Sequence, residues 1–161
     1  MHDQEKFMLA ALEEAEIGLA EGEVPIGAVA VKDGRIIARG HNRRNQMTDI
    51  TRHAEMECLH DLSKNLPNGF DLSDVIIYST LEPCAMCSGA MIHYGVKTVV
   101  YGEKDLINGA AGSHYDFLKQ VKTTIIAGVL RDQCRDILLQ FFEKQLGKKS
   151  VIWEDIELPV A

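Results

Sequence analysis

A chain of 161 residues, 46% hydrophobic and 25% charged, has the size and balance of one globular domain, spanning 1–161 without low-complexity tracts or internal repeats. The N-terminus lacks a basic start followed by an apolar core, and no apolar run nears the ~20 residues that span a bilayer, so a membrane protein is excluded and a cytoplasmic location expected. A net charge of -7 argues against an extended nucleic acid, whose phosphates are met by clustered Lys and Arg, although Arg39, Arg43, Arg44 and Arg52 could serve a short RNA or simply be solvated surface.

Phe7, Ala11, Ala15 and Leu19 recur at helical spacing behind a possible Asp3 cap, so the chain opens with an amphipathic helix ending near Glu21-Gly22. Val24 to Val31 reads as a buried strand, Asp33-Gly34 as a tight hairpin turn, and Arg35 to Arg39 as the antiparallel returning strand. An irregular polar stretch follows. Thr51 to Lys64 then looks helical, with His53 and Glu55 in its first turn, and Pro67, Asn68 and Gly69 form a loop.

Val75 to Thr80 is a β-branched strand, and Pro83 sits where proline favours the first turn of a new helix that begins with Cys84 and Cys87. Strands at Thr98 to Tyr101 and Thr123 to Ile126 alternate with a short helix near Tyr115 to Lys119 and a long one from about Asp132 to Leu146. Ile137, Leu138, Phe141, Phe142 and Leu146 give the long helix an apolar face for the core. Strand alternating with helix implies a layered α/β sandwich.

The chemistry lies in a split signature, His53-Ala54-Glu55 and then Pro83-Cys84-Ala85-Met86-Cys87. Without a secretion signal, cysteines in CxxC spacing point to metal or redox chemistry rather than a disulfide framework, whereas Cys58 and Cys134 read as packing residues. Cys84 and Cys87 are one helical turn apart, so both sulfurs reach one ion, and a helix N-terminus favours thiolate. A Cys₂His set suits zinc, and three protein ligands leave a fourth position for chemistry. Glu55, two residues from His53, is poorly placed to join the ligands but can reach that open position as a general acid/base. The pairing of H-x-E with P-C-x-x-C is recognised as the signature of zinc nucleobase deaminases.

With these residues in view, Glu23 to about Phe142 resembles the cytidine deaminase-like superfamily, specifically the branch of fungal-type cytosine deaminases, tRNA adenosine deaminases and guanine deaminases. The resemblance rests on Val24-Pro25-Ile26-Gly27-Ala28, Gly40-His41-Asn42, His53-Ala54-Glu55 and Thr80-Leu81-Glu82-Pro83-Cys84-Ala85-Met86-Cys87-Ser88-Gly89-Ala90. It implies a three-layer α/β/α sandwich around a five-stranded mixed sheet. It also implies one Zn²⁺ per subunit on His53, Cys84 and Cys87, with Glu55 as the proton shuttle. Asn42 would hydrogen-bond the base, Ile26 and Ala54 would line the substrate site, and homodimers would form near Met86 to Tyr94.

Two branches compete for the substrate. Asn108 to Ser113 and Ala127-Gly128-Val129-Leu130 look like tRNA adenosine deaminases, whereas Tyr94-Gly95, Tyr101-Gly102-Glu103 and the tail Trp153-Glu154-Asp155-Ile156 look like fungal-type cytosine deaminases. In the second branch Trp153 and Asp155 would close residues 148–161 as a lid over a free base. Alternatively, Trp153 anchors the tail and Asp155 is a solvated charge. A carboxylate lid suits a neutral base with N–H donors and would repel RNA phosphates. The expected reaction is therefore deamination of a free nucleobase, cytosine or a related pyrimidine such as isocytosine, within pyrimidine salvage. A tRNA anticodon adenosine, or guanine or another aminopurine, is the alternative substrate.

Overall fold

The computed structural model describes residues 3–66 and 72–147. Helix α1 (Asp3–Ala20) leads into strand β1 (Gly27–Lys32) and strand β2 (Arg35–His41), followed by the short α2 (Arg44–Met47) and α3 (Ala54–Lys64). Strand β3 (Ile76–Leu81), helix α4 (Ala85–Tyr94), strand β4 (Thr98–Glu103), the short α5 (Phe117–Gln120), strand β5 (Thr124–Ala127) and α6 (Arg131–Leu146) complete the order.

The five strands form one mixed sheet, ordered β2-β1-β3-β4-β5, with β1 antiparallel to both neighbours and β3, β4 and β5 parallel. Asp33 and Gly34 both carry positive φ (51° and 72°), the backbone of the tight hairpin turn expected between β1 and β2. Alternation of side chains along the strands supplies two cores. Val29, Val31, Tyr78 and Val100 pack with Phe7, Met8, Ala11 and Ala15 of α1 and with Cys134 and Ile137 of α6. Ala28, Ala30, Ile77, Leu81, Val99 and Tyr101 meet Cys58, Leu59 and Leu62 of α3 and Met91 of α4, while α6 adds Leu138 and Phe142. The result is the expected three-layer α/β/α sandwich. Leu59 and Leu62 are 1% and 0% exposed, so truncating either to Ala costs about 2–5 kcal/mol and loosens α3.

Element boundaries move in ways that matter for the site. The first strand starts at Gly27 rather than Val24, because Pro25 has no N–H to pair and the Ile26 N–H turns back to the Val24 carbonyl. His53 and Cys84 are the N-cap residues of α3 and α4, with extended ψ of 158° and 179°, rather than members of the first turns. Pro83 therefore stands just outside α4. Among the described residues no helix is long and apolar enough to cross a membrane.

Candidate metal centre and active-site cleft

Topology brings the chemistry to one edge of the sheet. Because β1 runs against β3 with Ala28 opposite Ser79, the start of β1 lies beside the end of β3; Gly27 opposite His41 adds the end of β2. The parallel β4 ends at the same edge. Ile26, Asn42, Glu82 and Asp105 all lie just past these strand ends, where open α/β sheets hold their ligands. Two further contacts tighten the corner. The Asn42 N–H donates to the Ile26 carbonyl at 3.2 Å, and Gly40 lies so close to Ala54 and Cys58 that a Cβ there would overlap the α3 backbone. β2 thus holds the N-terminus of α3 against the strand ends.

The N-termini of α3 and α4 converge on this corner, and neither has a side-chain cap to absorb its free N–H groups. Cys84 Sγ and Cys87 Sγ lie 3.4 and 3.5 Å from His53 Nδ1. Zinc–sulfur bonds of about 2.3 Å and a zinc–nitrogen bond of about 2.05 Å at a tetrahedral angle require S···N separations of about 3.6 Å, so the donor set fits one zinc ion. His53, Cys84 and Cys87 are the one cluster of metal-binding type among the described residues. A Cys₂His set holds zinc and leaves one position free of protein. The zinc cofactor expected from the sequence is therefore supported by geometry.

The electrostatics of the cluster fit the same purpose. The Cys84 thiol is drawn down to about 4, first by its hydrogen bond with Cys87 and then by His53, while burial resists. Burial pushes Cys87 well up. Burial also pushes the Glu55 carboxyl up to about 7, with the Cys84 thiolate adding to the rise. Glu55 is 4% exposed and stands outside the ligand cluster.

A cleft opens above the cluster, lined by Ile26, Asn42, His53, Ala54, Glu55 and Cys84, all expected at the site, and by Leu81, Glu82, Asp105 and Asn108, which were not. Asn42 is 1% exposed; its Oδ1 accepts the Arg44 N–H at 3.0 Å, and its Nδ2 has no partner among the described residues. A buried amide donor costs free energy unless it finds an acceptor. Behind it, Glu23, fully buried, accepts the N–H groups of Asn45 at 3.1 Å and Gln46 at 2.7 Å and so fixes the turn that follows Asn42. Trp153, Asp155 and the lid 148–161 lie outside the described residues.

Of the basic patch, Arg39 faces Glu13, Arg43 faces Glu57, and Arg52 is held by Asp49 and Glu57. Arg44 has no carboxylate within ion-pair distance among the described residues, although it is close enough to His53 to oppose a charge on the imidazole.

Residues 1–103 match the cytidine and deoxycytidylate deaminase zinc-binding region. The chain is 40% identical over 152 residues to the tRNA-specific adenosine deaminase of Haemophilus influenzae, covering 91% of this chain and 87% of that one. It is 37% identical over 154 residues to the tRNA-specific adenosine deaminase of Bacillus subtilis, covering 93% and 95%. Among solved structures, one from a study of A-to-I editing by tRNA:A34 deaminases at the wobble position superposes with a TM-score of 0.73 at 34% identity, covering 82% of this chain and 98% of that one.

These relatives overturn the expectation of a free cytosine or isocytosine substrate, with its pyrimidine salvage role, and the low weight given to nucleic acid. That expectation rested on Trp153 and Asp155. Among the described residues, the cleft wall includes Asn108, in the segment that resembled the tRNA branch. A chain-wide sum of -7 does not describe this one strand-end corner, where acidic groups accept backbone N–H groups and Arg44 has no carboxylate within ion-pair distance among the described residues. With zinc ligands, buried glutamate and matching relatives all in register, the chain belongs to the cytidine and deoxycytidylate deaminase zinc-binding family.

Proposed function

We propose that this protein is a zinc-dependent hydrolase that converts adenosine to inosine at the wobble position of a tRNA anticodon. The observation that carries the reading is identity of 37–40% with tRNA-specific adenosine deaminases over more than nine-tenths of the chain. The cleft is consistent with it, since enzymes of this class act on an unstacked nucleotide that must enter a pocket with its flanking chain outside.

Zinc, when bound, supplies hydrolytic power at neutral pH by acidifying a water molecule. Its ligands are His53, Cys84 and Cys87. Glu55 accepts a proton from the water and delivers it to the ring nitrogen beside the amino-bearing carbon, then takes the remaining proton of the added hydroxyl and passes it to the departing amine. Water adds at that carbon, the C–N bond breaks, and inosine and ammonia leave. The Asn42 side-chain amide donates to an acceptor on the base edge, and Ile26 and Ala54 shape the walls around it. Arg44 is a cation available to a phosphate of the entering loop.

Glu55→Gln is the direct test of this chemistry. Zinc stoichiometry should stay at wild-type level while inosine formation is lost, and substantial remaining turnover would refute the role of Glu55. We also propose self-association through α4, whose Met86, Ala90 and Ile92 are only half-buried. Sedimentation velocity should give a dimer, and a monomer at micromolar concentration would refute that part.

A further inference from the structure

Glu82 is 2% exposed and, among the described residues, forms no ion pair, an expensive way to keep a carboxylate. Four donors of one loop converge on it, and the Tyr101 hydroxyl of β4 reaches it as well. Oε1 accepts from the Asp105 N–H at 3.3 Å and from the Ser113 hydroxyl. Oε2 accepts from the N–H groups of Ala111 at 3.0 Å and Ser113 at 3.1 Å. Gly109 sits against the carboxylate with no room for a Cβ.

The same loop is stitched to the chain around Glu82. The Glu82 N–H donates to the Glu103 carbonyl at 2.8 Å, the Ala110 N–H to the Pro83 carbonyl at 2.8 Å, and Cys84 pairs with Gly109 in an isolated antiparallel bridge. Within the loop the Asp105 carboxylate accepts the N–H groups of Ile107 at 3.0 Å and Asn108 at 2.9 Å, which sets the turn that brings Asn108 to the cleft.

We propose that Glu82 is a positioning residue: its carboxylate locks loop 105–113 onto the segment that carries Cys84, and so sets the cleft wall at Asp105 and Asn108 against which the substrate nucleotide is held. The substrate half of this rests on the tRNA reading above; the locking half does not. A carboxylate is required because four donors converge on it, and an amide offers one oxygen only. In Glu82→Gln, with the amide NH2 at the Oε1 position, the Ser113 hydroxyl can turn to accept from it, but the Asp105 N–H is left facing a donor.

The test combines amide hydrogen exchange with binding of an anticodon stem-loop, in zinc-loaded protein carrying Glu55→Gln to stop turnover. Adding Glu82→Gln should speed exchange at Asp105, Ala111 and Ser113 while leaving β1 amides and zinc stoichiometry unchanged, and should raise Kd on the order of tenfold, the worth of one charged hydrogen bond. Ser113→Ala removes a single partner and should move both readouts less, in the same direction; it decides the matter if Glu82→Gln does not fold. Faster exchange with an unchanged Kd would overturn the positioning role and leave a merely structural one. Unchanged exchange would overturn the lock itself. Failure of the protein without any Glu82 change to bind the stem-loop refutes the substrate reading instead, and the amide exchange alone then decides whether Glu82 is the lock.

Discussion

Replacing Asn42 by Ala should separate stability from function. Among the described residues the side chain makes one hydrogen bond, from the Arg44 N–H at 3.0 Å, and buries an Nδ2 with no partner. Losing the bond costs about 0.5–1.5 kcal/mol, and removing the unpaired amide returns about 1–3 kcal/mol, so the fold should lie between about 0.5 kcal/mol less stable and about 2.5 kcal/mol more stable. For a chain of this size each kcal/mol is a melting shift of about 2–4 °C. Catalysis has no such compensation, because the base acceptor loses its donor; about 1–3 kcal/mol of transition-state stabilisation goes, or about 5- to 150-fold in kcat/KM. Asn42→Asp keeps the Arg44 bond but aims an oxygen at that acceptor, and should be worse for activity than Ala. The assays are thermal melting and inosine formation on a stem-loop under kcat/KM conditions. A fall of about 10 °C in melting temperature with kcat/KM intact would refute the reasoning, since Asn42 would then be a structural turn residue.

Three other outcomes follow from the same geometry. Cys84→Ser should abolish stoichiometric zinc, measured by elemental analysis, because a hydroxyl replaces the readily ionised thiol; retention of one zinc per chain would mean a different ligand set. Glu23→Gln leaves an amide nitrogen facing the Asn45 or Gln46 N–H and should cost about 1–3 kcal/mol in urea unfolding, whereas an unchanged midpoint would show that the turn needs no anchor. Gly109→Ala forces a methyl against the Glu82 carboxylate and should destabilise by about 1–3 kcal/mol by the same measurement; a neutral result would show that the loop yields freely there.

Much of the site was legible because its markers are local. His53, Glu55, Cys84 and Cys87 sit in short motifs at helix starts, and the structure brings the three ligands within 4.8 Å of one another. Periodicity found every major element, with strand and helix ends displaced by a few residues where Pro25 and the two N-caps interrupt the backbone pattern. Leu81, Glu82, Asp105 and Asn108 were missed as cleft residues because their role depends on pairings absent from any local pattern. Glu82 meets its partners 23 to 31 residues away, and only the parallel pairing of β3 with β4 makes the two segments adjacent. The visible signal was a run of polar and glycine residues directly after a predicted strand, at the edge where parallel strands end. The substrate was misjudged because two tail side chains were weighed above the loop that forms the described wall.

The decisive measurement is inosine content of an anticodon stem-loop bearing a wobble adenosine, after incubation with the zinc-loaded protein and, in parallel, with the metal-stripped protein. The expected result is inosine at that one position, formed only with zinc. An unchanged adenosine, in protein shown to be folded and fully zinc-loaded, would contradict the proposed function.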